Sequence, residues 1–252
     1  GAEHWRLGPG ISVEQAMLAL KDDPRVEYAE PNMIGEFTKE PSDDYYPLQT
    51  QLPLIQMPQA WNLTTGSNAV IIAVIDSGID PVHQDLVSNI RLNNNDPVDG
   101  IDNDGIDNDG NGYVDDYRGW DFKDGDNDPT SGNGHGTSVA GIIGAKAVEL
   151  QLQPTYGIAG MNWNVKLMNL SVGPTAPNVA NVTQAVDYAR KNGAQIINMS
   201  LALDCAPPTQ GGCSATLRNA IQAAGDREVL VIAAAGNDNR NADDPNYPGN
   251  AP

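Results

Sequence analysis

The chain has 252 residues, of which 40% are hydrophobic, so it is long enough to form one sizeable domain around a core. Its 14 basic and 33 acidic side chains give a formal net charge of −19, which would repel a phosphate backbone and argues against nucleic-acid binding. No apolar run approaches the roughly 18 residues that a membrane-spanning helix needs, which argues against a membrane span.

The N-terminal part predicts one helix and one strand. Residues 12–21 are typical of a short helix, in which Ser12 and Gln15 have the spacing of a capping box. Residues 26–32 (VEYAEPN) alternate like a strand and end beside a proline. Together they predict a small α+β piece that is too small to fold alone. Residues 35–53 are polar, contain prolines and show no periodicity, which predicts a linker.

A regular alternation of strands and helices begins at Val70. The first strand, VIIAVI, is a continuous β-branched run, which is typical of a strand buried on both faces. Strands that alternate with helices predict an α/β fold with a parallel sheet flanked by helices and right-handed crossovers. The predicted strands cover residues 70–75, 165–172, 195–201 and 228–235, and the predicted helices cover 135–147, 179–193 and 214–225.

Three polar side chains lie next to these elements. Asp76 directly follows the first strand, Asn237 follows the last strand, and His135 begins a helix after a glycine-rich approach. Each of these residues alone is more often a cap or a turn residue. Because the working residues of open parallel sheets lie beyond the carboxyl ends of the strands, we expect all three on one rim. An acid, an imidazole and an amide are the parts of a nucleophilic acyl-transfer site.

Four sequence blocks give these residues a common context. In chain order they are AVIDSGID at 73–80 with HQDL at 83–86, NGHGTSVAGIIGA at 133–145, INMSL at 197–201 and VIAAAGND at 231–238. This order resembles the subtilases, the subtilisin-like serine peptidases. The resemblance implies that Asp76 orients the imidazole, His135 is the general base and Asn237 donates to the oxyanion.

The resemblance also implies where a substrate binds. Ser200, Leu201 and Ala202, together with Gly236, would line a cleft that pairs with the backbone of an extended peptide. The family usually has a glycine where this chain has Ala202, so the floor of the specificity pocket is expected to differ.

The family's nucleophile belongs to a Gly-Thr-Ser-Met-Ala block that follows the oxyanion asparagine. The only similar letters here are GTSVA at 136–140, which form part of the histidine block. We therefore expect Ser138 to pack and to hydrogen-bond at the start of its helix, and we expect the chain to stop before the nucleophile. The sequence then predicts an endopeptidase of which this chain alone is inactive. The alternative is a catalytically inert calcium- or peptide-binding module.

Residues 12–32 resemble the end of the subtilase propeptide, a small α+β inhibitor, and residues 41–61 resemble the start of the mature enzyme. The implied division is therefore the end of the propeptide and a linker in residues 1–40, and the N-terminal part of the catalytic domain in residues 41–252. Polypeptide substrates and the chain's own propeptide, acting as an intramolecular inhibitor, are the implied partners. Secretion is the implied location. The first residues have no basic n-region and no apolar h-region, so we expect that a signal peptide was removed or that the start of the protein is missing from this chain.

An insertion over residues 93–128 contains much of the negative charge. Between residues 96 and 128, twelve aspartates against Arg118 and Lys123 give a charge of −10. The spacing of its oxygen-bearing residues is that of a calcium loop, although Arg118 stands where an EF-hand has its bidentate glutamate, for which Asp104 and Asp116 are the alternatives. A solvated acidic loop is the other interpretation. The predicted calcium ligands are Asp107, Asp109, Asn111, the carbonyl of Tyr113, and Asp115.

Two further predictions concern a second cation site and a disulfide. The resemblance implies Asp85 as a calcium ligand near the N-terminus, but residues 147–160 lack the asparagine-containing loop that usually completes that site. Cys205 and Cys213 lie in one Pro/Gly-rich loop, which favours a small disulfide over a metal site, since a metal would need more ligands.

Overall fold

The computed structural model describes residues 3–32, 39–96, 104–130, 132–148, 157–203 and 214–237. The chain forms two compact units, residues 1–38 and 39–252. In the first unit, helix α1 covers Val13–Leu20 and has the predicted capping box: Gln15 N–H donates to Ser12 Oγ, and Ser12 N–H donates to Gln15 Oε1. The predicted strand over 26–32 is wrong. A strand needs a neighbour to satisfy its backbone groups, and the described residues of this unit contain no other strand.

The second unit is built on a parallel sheet, as predicted. Its strands are β1 (Gly66–Asp76), β2 (Trp120–Asp121), β3 (Asn164–Ser171), β4 (Ile196–Met199) and β5 (Leu230–Ala233). They are arranged in the order β2-β3-β1-β4-β5, and all neighbours pair in parallel. The short strand β2 lies inside the acidic insertion and was not predicted. The register aligns Asp76 at the end of β1 with Ser171 at the end of β3, which places both at the carboxyl edge.

In the described part of this unit, five α-helices accompany the sheet: α2 (Gln51–Leu54), α3 (Met57–Leu63), α4 (His135–Gly144), α5 (Val179–Lys191) and α6 (Ala215–Gly225). The last three confirm the predicted helices. The linker predicted over 35–53 is wrong in its second half, where a 3-10 turn at Tyr46–Leu48 precedes α2. Leu52 is buried there with Trp61 and Trp163, so tertiary packing induces helix in a segment without a periodic pattern.

The core lies on both faces of β1. Ala73 and Ile75 belong to a cluster that packs against α5 and α6, whereas Ile72 and Val74 belong to a cluster that packs against α4. This burial on two faces explains why the strand is a continuous β-branched run. Since full burial of an aliphatic side chain contributes about 1.5–3 kcal/mol, these contacts fix β1 firmly. The end of β1 is therefore a rigid support for Asp76.

Candidate active site

Asp76 and His135 are 59 residues apart in sequence and form a hydrogen-bonded pair. β1 ends at Asp76 and α4 begins at His135, and His135 Nδ1 lies 2.6 Å from Asp76 Oδ1. The side chain of Asp76 is only 3% exposed, whereas that of His135 is 56% exposed. An imidazole that donates its Nδ1 proton to a carboxylate keeps Nε2 free as a proton acceptor. The structure thus brings together the predicted acid and the predicted base.

The carboxylate of Asp76 is held from one side. Its Oδ1 also accepts the backbone N–H of Ser77 at 2.7 Å, while its Oδ2 is buried without a partner among the described residues. The backbone carbonyl of Asp76 accepts the N–H of Val172 at 2.8 Å, which joins the end of β1 to the segment after β3. A buried unpaired oxygen is costly, so its presence is typical of a functional group.

The first turn of α4 is joined to the turn that follows β1. Gly136 N–H donates to Ser77 Oγ at 3.0 Å, and Asp80 N–H donates to Thr137 Oγ1 at 2.9 Å. A Cβ atom at position 136 would lie 2.3 Å from the carbonyl oxygen of Gly78. Glycine is therefore required at this position for the helix to approach the turn.

An open cavity of about 190 Å³ lies beside the pair. The predicted substrate residues Ser200, Leu201 and Ala202 line it together with Asp76 and His135. Residues 172–177, which the sequence reasoning missed, form another part of its wall. The same rule that singled out Asp76 applies to this segment, since it follows β3 at the carboxyl edge of the sheet.

Asn133 connects that wall to His135. Its Oδ1 accepts the backbone N–H of His135 at 2.9 Å, and its Nδ2 donates to the carbonyl oxygen of Pro174. Asn133 therefore ties the start of α4 to this part of the cavity wall.

Gly236 and Asn237 follow β5 and are exposed. Gly236 has a positive φ of 92°, which turns the chain after the strand. Neither residue is among those that line the cavity beside Asp76 and His135. Its oxyanion role stays a prediction. Cys205 and Cys213 lie outside the described residues, and so does their predicted disulfide.

The predicted calcium ligands bind backbone N–H groups. Asp107 accepts the N–H groups of Asn111 and Gly112, and Asp109 also accepts that of Asn111. Asp115 accepts those of Asp104 and Gly105. Among the described residues no group of three acidic, histidine or cysteine side chains is arranged to hold a metal ion. The oxygen donors suit calcium by their chemistry, and the site stays a prediction.

The insertion is anchored to the core by Asp116. This side chain is fully buried and accepts hydrogen bonds from Asn93, Asn111 and the hydroxyl of Tyr188 on α5. Burial raises the pKa of Asp116, although these hydrogen bonds act in the opposite direction. The pKa of Tyr188 is raised, first by its own burial and then by the negative charge of Asp116. Tyr113 packs its ring against that of Tyr188 rather than pointing outward.

Asp85 is buried and lies beside a second buried acid that the sequence reasoning missed. Asp85 Oδ2 accepts the N–H of Ile158 at 3.1 Å, and Asp43 Oδ2 accepts that of Val148 at 3.1 Å. The pKa of Asp43 is raised chiefly by burial, with a smaller contribution from the charge of Asp85. Asp43 is buried whereas the neighbouring Asp44 is exposed, and the sequence contains no signal that predicts this difference in burial.

The sequence resembles known peptidases over most of its length. A model described as the subtilase family matches residues 67–252. A thermophilic serine proteinase from Bacillus sp. (strain AK1) is 33% identical over 229 residues, covering 90% of this chain and 48% of that protein. Thermitase from Thermoactinomyces vulgaris is 33% identical over 214 residues, covering 82% of this chain and 61% of that protein. An extracellular protease from Xanthomonas campestris is 31% identical over 249 residues, covering 90% of this chain and 40% of that protein.

The fold has matches among solved structures. A protease from Pseudoalteromonas arctica superposes with a TM-score of 0.55 at 25% identity, covering 80% of this chain and 60% of that one. The chain spans about half the length of the curated relatives it matches. In the described part of the chain, no helix has the length and apolar character needed to cross a membrane.

Proposed function

This chain belongs to the subtilase family, and from that premise we propose that it carries part of a serine-type endopeptidase that hydrolyses peptide bonds in proteins. The observation that supports this function best is the 2.6 Å contact between His135 Nδ1 and the buried Asp76 carboxylate. The pair borders a cavity that Ser200, Leu201 and Ala202 also line, where an extended polypeptide would lie.

In the proposed reaction, His135 Nε2 takes the proton of a serine hydroxyl as its oxygen attacks the peptide carbonyl carbon. Asp76 stabilises the imidazolium that forms and keeps the ring in the correct tautomer. Asn237 donates to the oxyanion of the tetrahedral intermediate. As the intermediate collapses, the imidazolium gives the proton to the leaving amine, and water then releases the acyl group by the same steps.

We place the nucleophile outside this chain, C-terminal to Asn237. Ser138 is an unsuitable candidate because its Oγ donates to the carbonyl oxygen of Gly134, at 3.0 Å, within its own helix. In the proposal, residues 1–40 act as the end of an inhibitory propeptide, and the product is secreted. The relative named as an extracellular protease supports secretion. Calcium is proposed to bind Asp107, Asp109, Asn111, the carbonyl of Tyr113 and Asp115, with Asp85 at a second site.

A fluorophosphonate probe tests this assignment, because it labels only an activated serine. By the longer product we mean one that carries this chain together with the nucleophile block proposed to follow Asn237. We expect the longer product to be labelled and to cleave a denatured protein, and we expect this chain to do neither. The His135→Gln variant of the longer product should lose both properties. Labelling of Ser138 would overturn the placement of the nucleophile. A longer product that binds peptides without cleaving them would favour the inert binding module instead.

A further inference from the structure

We propose that Ser77 is a positioning residue that sets the distance between Asp76 and His135 by bonding to both sides of the pair. The inference rests on the proposed function and names a further residue on which that function depends. Ser77 donates its backbone N–H to Asp76 Oδ1 at 2.7 Å, the same oxygen that faces the imidazole. Its Oγ accepts the N–H of Gly136 at 3.0 Å, and Gly136 directly follows His135.

The helix start explains why this contact matters. The first N–H groups of a helix have no partner inside the helix and are usually bound by the side chain of the N-cap residue. The N-cap residue of α4 is Gly134, which has no side chain to do so. Ser77, from the end of β1, provides the acceptor for Gly136 instead. The position of His135 therefore depends on a bond to the neighbour of Asp76.

The contact between Ser77 and Gly136 is buried and closely packed. Ser77 is 7% exposed and Gly136 is buried, so water is a poor substitute for the lost acceptor. A Cβ atom at position 136 would lie 3.1 Å from Asp76 Oδ1, which shows how closely the helix backbone approaches the carboxylate. Loss of the Ser77 hydroxyl would release this end of α4 and lengthen the contact between Asp76 and His135.

The overall attachment of α4 does not depend on Ser77 alone. Thr137 Oγ1 accepts the N–H of Asp80 at 2.9 Å, and Asn133 Oδ1 accepts the N–H of His135. We therefore expect Ser77→Ala to fold and to show its effect at the pair. Ser77→Cys is a second variant of nearly the same shape, in which sulfur is a weak acceptor. Ser77→Thr keeps the hydroxyl.

Ser138→Ala is the matched control. Ser138 is also a serine in the first turn of α4, but its Oγ donates to Gly134 within the helix and makes no bond to the turn after β1. Both kinds of variant remove one hydroxyl near His135, and only those at position 77 remove a bond between the two elements.

Proton NMR of this chain gives a readout of the pair itself. The Nδ1 proton of an imidazole bonded to a carboxylate gives a resonance far downfield of the amides, identified by its loss in His135→Gln. We expect the wild type, Ser77→Thr and Ser138→Ala to keep this resonance, and Ser77→Ala and Ser77→Cys to lose or broaden it. In the longer product we expect kcat to fall about 10–100-fold for Ser77→Ala with KM unchanged, because small misplacements of reacting groups cost rates of this order.

Several outcomes would overturn the inference. An unchanged resonance and an unchanged kcat in Ser77→Ala and Ser77→Cys would show that Ser77 does not set the contact. Equal losses in Ser138→Ala would show a general effect of helix-start hydroxyls. If the longer wild-type product cleaves no peptide bond, the proposed function fails, and the NMR result still decides the role of Ser77.

Discussion

The bond between Asp76 and His135 selects one tautomer of the imidazole. A carboxylate accepts the Nδ1 proton, so the lone pair remains on Nε2 of a side chain that is 56% exposed. An amide at position 76 can present its NH2 group to Nδ1, which would leave the wrong ring nitrogen as the acceptor.

Asp76→Asn should therefore lower kcat of the longer product by about 10⁴-fold, as expected when the acid of such a pair becomes an amide. The fold should remain, since the side chain keeps its size. Steady-state kinetics and circular dichroism check the two statements. Asp80→Asn is the matched control, because the Asp80 carboxylate accepts the N–H of Val82 instead of facing the imidazole, and its rate should stay near that of the wild type.

The raised pKa of Tyr188 predicts how the stability of the fold depends on pH in the alkaline range. Its pKa in the folded protein is raised, first by burial and then by the charge of Asp116, so the unfolded chain releases this proton first. The stability that the neutral hydroxyl contributes is complete below the unfolded pKa of about 10 and is lost above it. The free energy of unfolding should fall by about 1.4 kcal/mol per pH unit above pH 10 because of this group alone.

Tyr188→Phe should remove that slope, measured by urea unfolding at several pH values. At neutral pH the variant should be less stable by about 1–3 kcal/mol, because Asp116 stays buried with one hydrogen-bond donor fewer. Tyr45→Phe removes the hydroxyl of an exposed tyrosine and should leave both quantities unchanged. The raised pKa values of Tyr46 and Tyr113 leave a smaller alkaline slope in both proteins, so a slope in Tyr188→Phe as steep as that of the wild type would contradict the prediction.

Among the elements, the sequence predicted those with a strong period and missed those that depend on distant contacts. VIIAVI and the helices over Val179–Lys191 and Ala215–Gly225 have patterns that local sequence can show. The helix at Gln51–Leu54 depends on the burial of Leu52 against Trp61 and Trp163. The strand expected over 26–32 has the right alternation but no partner strand among the described residues of its unit.

The candidate site also combines features that local sequence predicted with features that depend on distant contacts. The position of Asp76 after a buried strand and of His135 at a helix start could be read from the sequence, and the structure places them in contact. The sequence could not show the hydrogen bond from Gly136 to Ser77 or the cavity wall at 172–177, because both depend on how closely α4 approaches β1. Asp43 and Asp116 were missed as buried acids for a similar reason, since burial is decided by packing far along the chain.

Asn169 on β3 links the segment that follows Asp76 to the segment that precedes His135. It is fully buried; its Oδ1 accepts the N–H of Ile79, and its Nδ2 donates to the carbonyl oxygens of Ile79 and Pro129. Asn169→Leu should lower the free energy of unfolding by about 2–4 kcal/mol, because it leaves buried backbone groups without partners. Urea unfolding measures this loss.

Asn89 offers a matched control for that variant. It is also buried, and its Nδ2 donates to the carbonyl oxygens of Gly144 and Trp163, away from the pair. Asn89→Leu should lose a similar amount of stability while keeping the downfield proton resonance of His135. Asn169→Leu should alter that resonance. Equal spectra for the two variants would show that Asn169 acts on stability alone.

At the scale of the whole molecule, the charge of −19 makes cations favourable partners of the folded chain. The acidic insertion concentrates this charge, and its carboxylates are oxygen donors of the kind that calcium binds. Two effects can therefore stabilise the protein when calcium is added: specific binding at the loop and general screening of repulsion. Ionic strength separates them, because screening does not require calcium.

We expect calcium to raise the free energy of unfolding by about 2.7 kcal/mol at a concentration one hundred times the dissociation constant, relative to a chelator at matched ionic strength. Asp107→Asn and Asp109→Asn should lose most of this gain. Asp124→Asn should keep it, because that residue lies in the same insertion with its side chain 63% exposed and is not a predicted ligand. Isothermal titration should give the same ranking. An equal gain with sodium chloride, or in all three variants, would mean that the insertion responds to charge screening and holds no calcium at these residues.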